Sequence, residues 1–327
     1  MAASRNRKSP DLKTRVGEFL ATRLAPVERI CVGLSGGCDS VVLLHALHSL
    51  GSPNPVSVIH VHHGLSPNAD AWADFCRNYC AGLSIPFEVH RVTVDCATGL
   101  GIEASAREAR YGAFSKVDAE VLLLAQHRGD QAETVLFNLL RGSGLIGAAG
   151  MPAERRFGGL RLMRPLLGVS RAEIEAYAEA HGLVWVDDES NADTGLSRNY
   201  LRHEVLPMLA ARFPNVEQSL VNAARHFGEA AELLDELAAL DWADASESET
   251  ARMATLKALS LPRLKNLLRY RLRQLGWQVP VAARLDEFAR QLHVAGPDRH
   301  PALSLPAGEM RVARGYLHWL GAEVTKG

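Results

Sequence analysis

A short turn at residues 35–40 carries the strongest chemical signal in this 327-residue chain. Its two adjacent glycines permit backbone conformations that point several main-chain amides at one anion. A helix that follows would bring its positive end to the same point. Because no Gly-Lys-Ser/Thr follows, the turn is not a Walker loop. We predict a phosphate-binding loop formed by Ser35, Gly36, Gly37, Cys38, Asp39 and Ser40.

Asp39 needs a separate explanation, because a carboxylate repels a bare phosphate. Its presence predicts a magnesium ion between the carboxylate and the phosphates of a nucleotide. The alternative is an ordinary glycine turn in which Asp39 or Ser40 is only a helix N-cap. The complete pattern after a buried strand favours the phosphate loop.

Three histidines, His60, His62 and His63, follow a second apolar run. In a strand, His60 and His62 share one face and His63 lies on the other. A zinc site is one interpretation, but no fourth cysteine or carboxylate stands at ligand spacing. We therefore favour His60 and His62 as a polar wall of a nucleotide pocket.

A pair of carboxylates, Asp130 and Glu133, follows another apolar run. Their three-residue spacing puts both carboxylates on one face of a helix, where they can face the same ligand crevice. The structural alternative is a capping box with Asp130 as N-cap and Glu133 at the third helical position.

These motifs require elements to position them, and the first two thirds of the chain alternates between apolar strands and helices. Such alternation predicts a parallel, doubly wound α/β sheet with right-handed crossovers. Ligands bind beyond the carboxyl ends of such strands, so we expect chemistry just after Leu34, Val61 and Ala125. The predicted strands are 29–34, 56–61, 87–94 and 120–125, and the predicted helices are 40–50, 69–81, 102–117 and 130–141.

The remainder of the chain differs in character. A Gly/Arg-rich connection begins at Gly142, and Ser170 and Glu173 predict a capping box for a helix over 170–181. After Pro214 the sequence becomes rich in helix formers, with a few late strands near 302–305, 310–313 and 316–320. We predict an N-terminal extension and helix (1–27), a nucleotide-binding catalytic domain (28–213) and a mainly helical second domain (214–327).

Composition narrows the class of protein. Hydrophobic residues make up 47% and charged residues 22%, with a net charge of −1, as in soluble globular proteins. No apolar run is long enough to span a bilayer, and the five cysteines fit a reducing compartment. We expect a cytoplasmic protein without a membrane partner; a homodimer is compatible with the sequence.

Charge is distributed unevenly in the second domain. The stretch 229–250 is acidic without Lys or Arg, whereas 251–300 carries an excess of arginines, including Arg269, Arg271 and Arg273. Such a run is either a solvated helix face or a surface for a nucleic-acid backbone. Composition alone does not separate the two.

The turn at 35–40 resembles the pyrophosphate loop of the N-type ATP pyrophosphatases. Within that superfamily, five motifs in order resemble the tRNA(Ile)-lysidine synthetase family. The chain departs from the family pattern at Gly129, where an aspartate is common. The matching segments are His60–Ser66, 126–134, 141–144 with 163–167, 187–193, and 198–202.

The resemblance implies a reaction between ATP, free L-lysine and the isoleucine tRNA whose anticodon is CAU. ATP would adenylate O2 of the wobble cytidine, and the lysine ε-amine would then displace AMP to give lysidine. It also implies that Asp39 holds magnesium, that Asp130 and Glu133 serve the lysine amine, and that Arg198 contacts phosphate or the activated base. The expected tRNA contacts are Arg155, Arg156, Arg269, Arg271 and Arg273.

Three other functions fit the residues less well. A tRNA 2-thiolation enzyme of the same superfamily typically needs paired cysteines, whereas Cys76 and Cys80 have the spacing of buried helix packing. A glutamine-dependent amidotransferase needs a glutaminase domain, and this sequence contains no recognisable one. A non-catalytic nucleotide-binding module does not explain why Asp39, Asp130 and Glu133 are intact.

Overall fold

Two compact units make up the molecule and divide between His226 and Phe227. This division lies inside a long helix, α10 (Val216–Ala245), somewhat later than the domain boundary expected at residue 213. The structure is a computed structural model, and it describes residues 11–94, 102–189, 195, 197–296 and 298–322.

The first unit contains a six-stranded sheet in the order β3-β2-β1-β4-β6-β5. All neighbouring strands are parallel except β5 and β6, which form an antiparallel hairpin. The predicted parallel, doubly wound sheet is therefore confirmed. The strands are β1 (Ile30–Gly33), β2 (Val56–His62), β3 (Phe87–Arg91), β4 (Val121–Leu123), β5 (Glu154–Phe157) and β6 (Leu160–Met163).

Helices cover both faces of this sheet, so its central strands are apolar in every position. Val32 and Leu123 pack on one face, and Cys31 and Leu122 pack on the other. The helices are α1 (Leu12–Ala21), α2 (Cys38–Ser49), α3 (Ala69–Gly82), α4 (Ile102–Phe114), α5 (Arg128–Leu140), α6 (Leu145–Ala148), α7 (Arg171–Ala180), α8 (Ser197–Tyr200) and α9 (Leu206–Arg212), with a π-helical turn at Leu201–Val205.

Several predicted bounds need correction. The third predicted strand extended to residue 94 but ends at Arg91, and the fourth helix extended to 117 but ends at Phe114. The prediction of a Gly/Arg-rich connection from Gly142 was wrong in part, because strands β5 and β6 lie within that stretch. The capping box at Ser170 and Glu173 is confirmed at the start of α7.

The second unit combines helices with a five-stranded antiparallel sheet in the order β7-β8-β11-β10-β9. Its core includes Leu264, Leu268 and Leu272, which recur on one face of α12 and leave the arginines on the others. The elements after α10 are β7 (Ser246–Glu247), β8 (Thr250–Arg252), α11 (Met253–Ala258), α12 (Leu261–Gln274), α13 (Ala282–Val294), β9 (Ala302–Leu305), β10 (Gly308–Ala313) and β11 (Tyr316–Gly321).

The three late strands confirm the prediction for the C-terminal part, whereas β7 and β8 were not predicted. Among the helices that the structure describes, none combines the length and apolarity needed to cross a membrane.

Candidate active site

The predicted phosphate loop connects β1 directly to α2. Gly36 has a φ of +92°, which L side chains rarely adopt. A Cβ there would also lie 2.7 Å from Val186 Cγ2, so space and conformation both require glycine. The Gly36 carbonyl accepts a hydrogen bond from the Val186 amide at 3.0 Å, which ties the loop to a distant part of the chain.

The two loop serines hold the turn together. Ser40 Oγ donates to the Gly37 carbonyl at 2.9 Å and accepts from the Ser35 amide at 3.2 Å. The N-cap of α2 is Gly37, without a side-chain capping bond. The alternative in which Asp39 or Ser40 is the N-cap is therefore wrong, and the first turn of α2 faces the loop with its amides.

Asp39 lies in the first turn of α2, where Arg171 NH1 donates to both carboxylate oxygens at 2.8 and 3.0 Å. Burial raises the pKa of Asp39, whereas His127 and Arg171 lower it. An oxygen-donor site of one carboxylate beside a phosphate loop fits Mg²⁺, which usually binds one or two carboxylates together with phosphates. A bound cation would replace Arg171 as the partner of Asp39.

The three histidines have separate partners. His60 is buried and its Nδ1 donates to the Leu34 carbonyl at 2.8 Å, directly below the phosphate loop. His62 Nε2 lies 3.2 Å from both Asp70 Oδ1 and Arg91 NH1. His63 faces Arg110, and burial lowers its pKa to about 4. Within the described ranges, no group of three or more His, Cys, Asp and Glu side chains could hold a metal ion.

The second motif starts α5 at the end of β4, but not as expected. His127 is the N-cap, its Nδ1 accepting from the Gly129 amide at 3.0 Å, and Asp130 is the third helical residue, its Oδ2 accepting from the His127 amide at 3.0 Å. The predicted capping box of Asp130 with Glu133 is therefore wrong, because the capping box is formed three residues earlier, by His127 and Asp130. This shift leaves Glu133 without a capping role.

Glu133 instead lies at the centre of an ionic network. It is 2% exposed, and its two oxygens accept from Arg198 NH1 and Arg202 Nε, each at 3.0 Å. Arg202 also donates to Asp130 at 2.8 Å. Burial raises the pKa of Glu133; repulsion by Asp130 adds to this, whereas Arg202 and Arg198 lower it.

The site lies where the chain order of the sheet reverses. Strand β1 is followed in space by β2 on one side and by β4 on the other, and this switch point opens a crevice at the carboxyl ends of the strands. His127 connects the two motifs across it, with Nε2 4.0 Å from Asp39 Oδ2 and 3.7 Å from Asp130 Oδ2. The polar side chains that follow Leu34 and Ala125 in the sequence lie around this crevice.

A cavity of about 620 Å³ opens beside Arg171. Its lining carries both signs of charge, with Arg128 and Arg171 against Glu175 and Glu217. Arg171 of this lining also binds Asp39, which connects the cavity to the phosphate loop through one side chain.

Comparisons with known proteins agree with this geometry. The family model of the PP-loop domain matches residues 8–209, and that of the TilS substrate binding domain matches residues 252–318. A tRNA(Ile)-lysidine synthase from Nitrosomonas europaea is 40% identical over 99% of this chain and 72% of its own length. The chain belongs to the tRNA(Ile)-lysidine synthase family. This confirms the resemblance inferred from the motifs.

Other members of the lysidine synthase family are more identical to this chain, over a somewhat smaller share of it. The synthase from Aromatoleum aromaticum is 48% identical over 89% of this chain and 68% of its own, and that from Pseudomonas aeruginosa is 47% identical over 90% and 69%. The U34-tRNA thiolase NcsA from Methanococcus maripaludis has a TM-score of 0.57 and 17% identity, over 67% of this chain and 78% of its own. The thiolase shares the fold.

The five arginines that we expect to contact tRNA lie on two elements, β5 and α12. Arg155 and Arg156 are on β5, where Arg155 lies over the rings of Tyr111 and Phe157 at 5.3 and 5.6 Å and Arg156 is exposed. Three others belong to the second unit, on α12: Arg269, Arg271 and Arg273.

Three residues of this lysidine synthase site were not among the predicted site residues: His127, Arg171 and Arg202. Arg202 is the last residue of the matching segment 198–202. The signal for it was the four-residue spacing from Arg198, which brings two guanidinium groups to one helix face. Arg171 gave no local signal, because only the fold brings α7 against Asp39.

Proposed function

We propose that this chain ligates free L-lysine to C2 of the wobble cytidine in the isoleucine tRNA with a CAU anticodon, using ATP. The observation that carries the proposal is the phosphate loop after β1 opposite the carboxylates after β4, in a chain that belongs to the lysidine synthase family. The products are lysidine, AMP and pyrophosphate.

The first step is adenylation of the cytidine O2. In the proposal, the loop amides and hydroxyls of residues 35–40 bind the phosphates, and the positive end of α2 stabilises charge as the α–β bond breaks. Asp39 holds Mg²⁺, which would neutralise phosphate charge. His60 supports the loop through its bond to Leu34 O, and His62 lies on the same strand face.

The second step requires a neutral amine, since free lysine has a pKa of about 10.4 and arrives as ammonium. A carboxylate first accepts a proton from the lysine ammonium. The neutral amine then attacks C2, the C2–O2 bond breaks, and AMP leaves with the cytidine O2. Of the two candidates, Glu133 is better suited, because its raised pKa makes it the stronger base. Asp130 positions Arg202, which together with Arg198 holds Glu133 in place. Arg198 also contacts the phosphate or the activated base.

Binding of the RNA fits the same site. Bases of an anticodon loop are already unstacked and can enter a crevice. We propose that Arg155 and Arg156 contact the tRNA near the first unit, and that the arginines of α12 contact its backbone. The match of residues 252–318 to a substrate binding domain supports the second part. We place the reaction in the cytoplasm. This fits the cysteines, because all four that the structure describes are free thiols, as expected in a reducing compartment.

One experiment tests the function. The purified protein is incubated with unmodified isoleucine tRNA, ATP and labelled lysine, and label on the RNA is measured. We expect ATP-dependent incorporation, and none into a tRNA whose wobble cytidine is replaced by uridine. Absence of label with the isoleucine tRNA would overturn the proposal.

The thiolation alternative is disfavoured by the cysteines. Cys76 and Cys80 are fully buried, and burial raises the pKa of Cys76 to about 12 and that of Cys80 to about 11. Such thiols are inert, because the thiolate is the reactive form.

A further inference from the structure

The position where this chain departs from the family pattern, Gly129, lies against the ring of His127. A Cβ at residue 129 would be 2.8 Å from His127 Cε1 and 3.2 Å from Nδ1. The first of these is closer than real Cβ contacts, and an imidazole ring that is 8% exposed has little freedom to move. A side chain at residue 129 therefore requires a shift of either the His127 ring or the backbone at the start of α5, and the ring is the group it would meet.

Glycine at this position has a cost. Residue 129 lies in the first turn of α5, where glycine disfavours the helix by about 1 kcal/mol relative to alanine. Its conformation is not one that requires glycine, because no positive φ occurs there. The space that Gly129 leaves for the ring is the remaining structural reason for it.

His127 has a defined tautomer in this arrangement. Nδ1 accepts the Gly129 amide hydrogen at 3.0 Å, so in the neutral ring the proton is on Nε2. Nε2 lies 3.7 Å from Asp130 Oδ2 and 4.0 Å from Asp39 Oδ2. Both distances exceed an ordinary hydrogen bond. The Nε2–H group therefore lies between two carboxylates without being hydrogen-bonded to either.

We propose that His127 is a substrate-contacting donor, whose Nε2–H binds a phosphate oxygen of ATP between Asp39 and Asp130, and that Gly129 is the residue that permits it. The inference rests on the proposed function. A neutral N–H suits this place, because two carboxylates alone would repel the phosphate. The bond to the Gly129 amide fixes the ring before ATP arrives, so little ordering is needed on binding.

Two amide substitutions separate this role from helix capping. In His127→Asn, the side-chain oxygen can replace Nδ1 as acceptor for the Gly129 amide, and asparagine is a good N-cap, but nothing replaces Nε2–H. In His127→Gln, the longer amide can bring an N–H close to the position of Nε2, while the cap is weakened. The measurement is tRNA-dependent pyrophosphate release, together with the KM for ATP and the thermal midpoint.

We expect His127→Asn to keep the wild-type midpoint and tRNA affinity but to lose about 10²-fold in kcat/KM for ATP, as when one donor to a developing charge is removed. His127→Gln should retain clearly more activity than His127→Asn despite a lower midpoint. Full activity of His127→Asn, or equal loss in both variants, would overturn the inference. If the wild type itself releases pyrophosphate but attaches no lysine, the proposed function fails instead.

Gly129 is tested by a double-mutant cycle. Gly129→Ala should reduce the rate of the wild type about tenfold or more, because the new methyl group displaces the ring. In the His127→Asn background the same change should have little effect, since asparagine has no Cε1. An equal loss in both backgrounds would show that Gly129 does not act through His127.

Discussion

Arginines pair with carboxylates in both units, but in different surroundings. In the first unit, Arg198 and Arg202 bind Glu133, whose side chain is 3% exposed. On α12 of the second unit, the arginines pair with carboxylates whose side chains are 37% to 83% exposed. These pairs are Arg269 with Asp286, Arg271 with Glu249, and Arg273 with Asp235.

The difference indicates what each group of arginines can do. Exposed pairs contribute little to stability and exchange partners readily, so Arg269 and Arg273 can leave their carboxylates for phosphates. Arg271 differs, because its side chain is 12% exposed and lies 4.4 Å from the centre of the Trp242 ring. The pair around Glu133 is desolvated, and such pairs seldom add stability over a neutral replacement. We therefore interpret the first group as fixing geometry and the second as an exchangeable RNA surface.

The largest effect is expected at the carboxylate beside the phosphate loop. Asp39→Asn removes the charge that we assign to magnesium and should reduce tRNA-dependent pyrophosphate release by about 10³-fold, with tRNA affinity unchanged. The matched control is Glu175→Gln, which removes the other carboxylate partner of Arg171. An active Asp39→Asn enzyme would contradict the magnesium assignment.

Glu133→Gln tests the buried network. We expect lysine transfer to fall by about 10²-fold or more, because the base is lost and Arg198 and Arg202 are no longer held. The free energy of unfolding at neutral pH should change by only about 1 kcal/mol, because glutamine keeps an acceptor oxygen for one arginine and the side chains of Arg198 and Arg202 are 29% and 40% exposed to water. Urea unfolding measures this, and a severe loss of stability would contradict the contrast with α12.

The α12 surface should respond in affinity rather than in chemistry. Replacing Arg269, Arg271 and Arg273 by alanine should weaken tRNA binding about tenfold or more and reduce the slope of log affinity against log salt by roughly two to three. The control is the triple variant of Arg284, Arg290 and Arg299, which removes the same charge from the same unit. Equal effects of both triple variants would favour a nonspecific charge contribution.

The smallest effect is a pH dependence of stability. Burial raises the pKa of Glu133 above 4.5, so the folded state favours its neutral form. This contribution is complete below pH 4.5 and is lost as the pH rises through the raised pKa. The unfolding free energy of the wild type minus that of Glu133→Gln should therefore decrease with rising pH. Urea unfolding across that pH range measures this difference. A difference that increases with pH would mean that the arginines lower the pKa of Glu133 more than burial raises it.

Much of the first unit could be predicted because its signals are local. Apolar runs of strand length and helices between them determine a parallel sheet, and parallel strands bring their carboxyl ends to one edge. Strands β5 and β6 were missed because four-residue strands joined by Gly158 and Gly159 resemble a glycine-rich loop.

The site was predicted only in part. The structure brings Asp39, Asp130, Glu133 and Arg198 close together through His127 and Arg202, and their roles stay predictions. The capping assignment failed because histidine is an unusual N-cap, and the sequence pattern favoured Asp130.

The sequence alone determined the glycine turn, the order of the motifs and the kind of sheet, since each depends on residues close in the chain. Only the tertiary structure decided that Arg171 reaches Asp39, that Arg202 joins Arg198 on Glu133, and that Gly129 makes room for His127. Those contacts depend on packing between distant segments and on the volume of single atoms, and neither leaves a periodic pattern in a sequence.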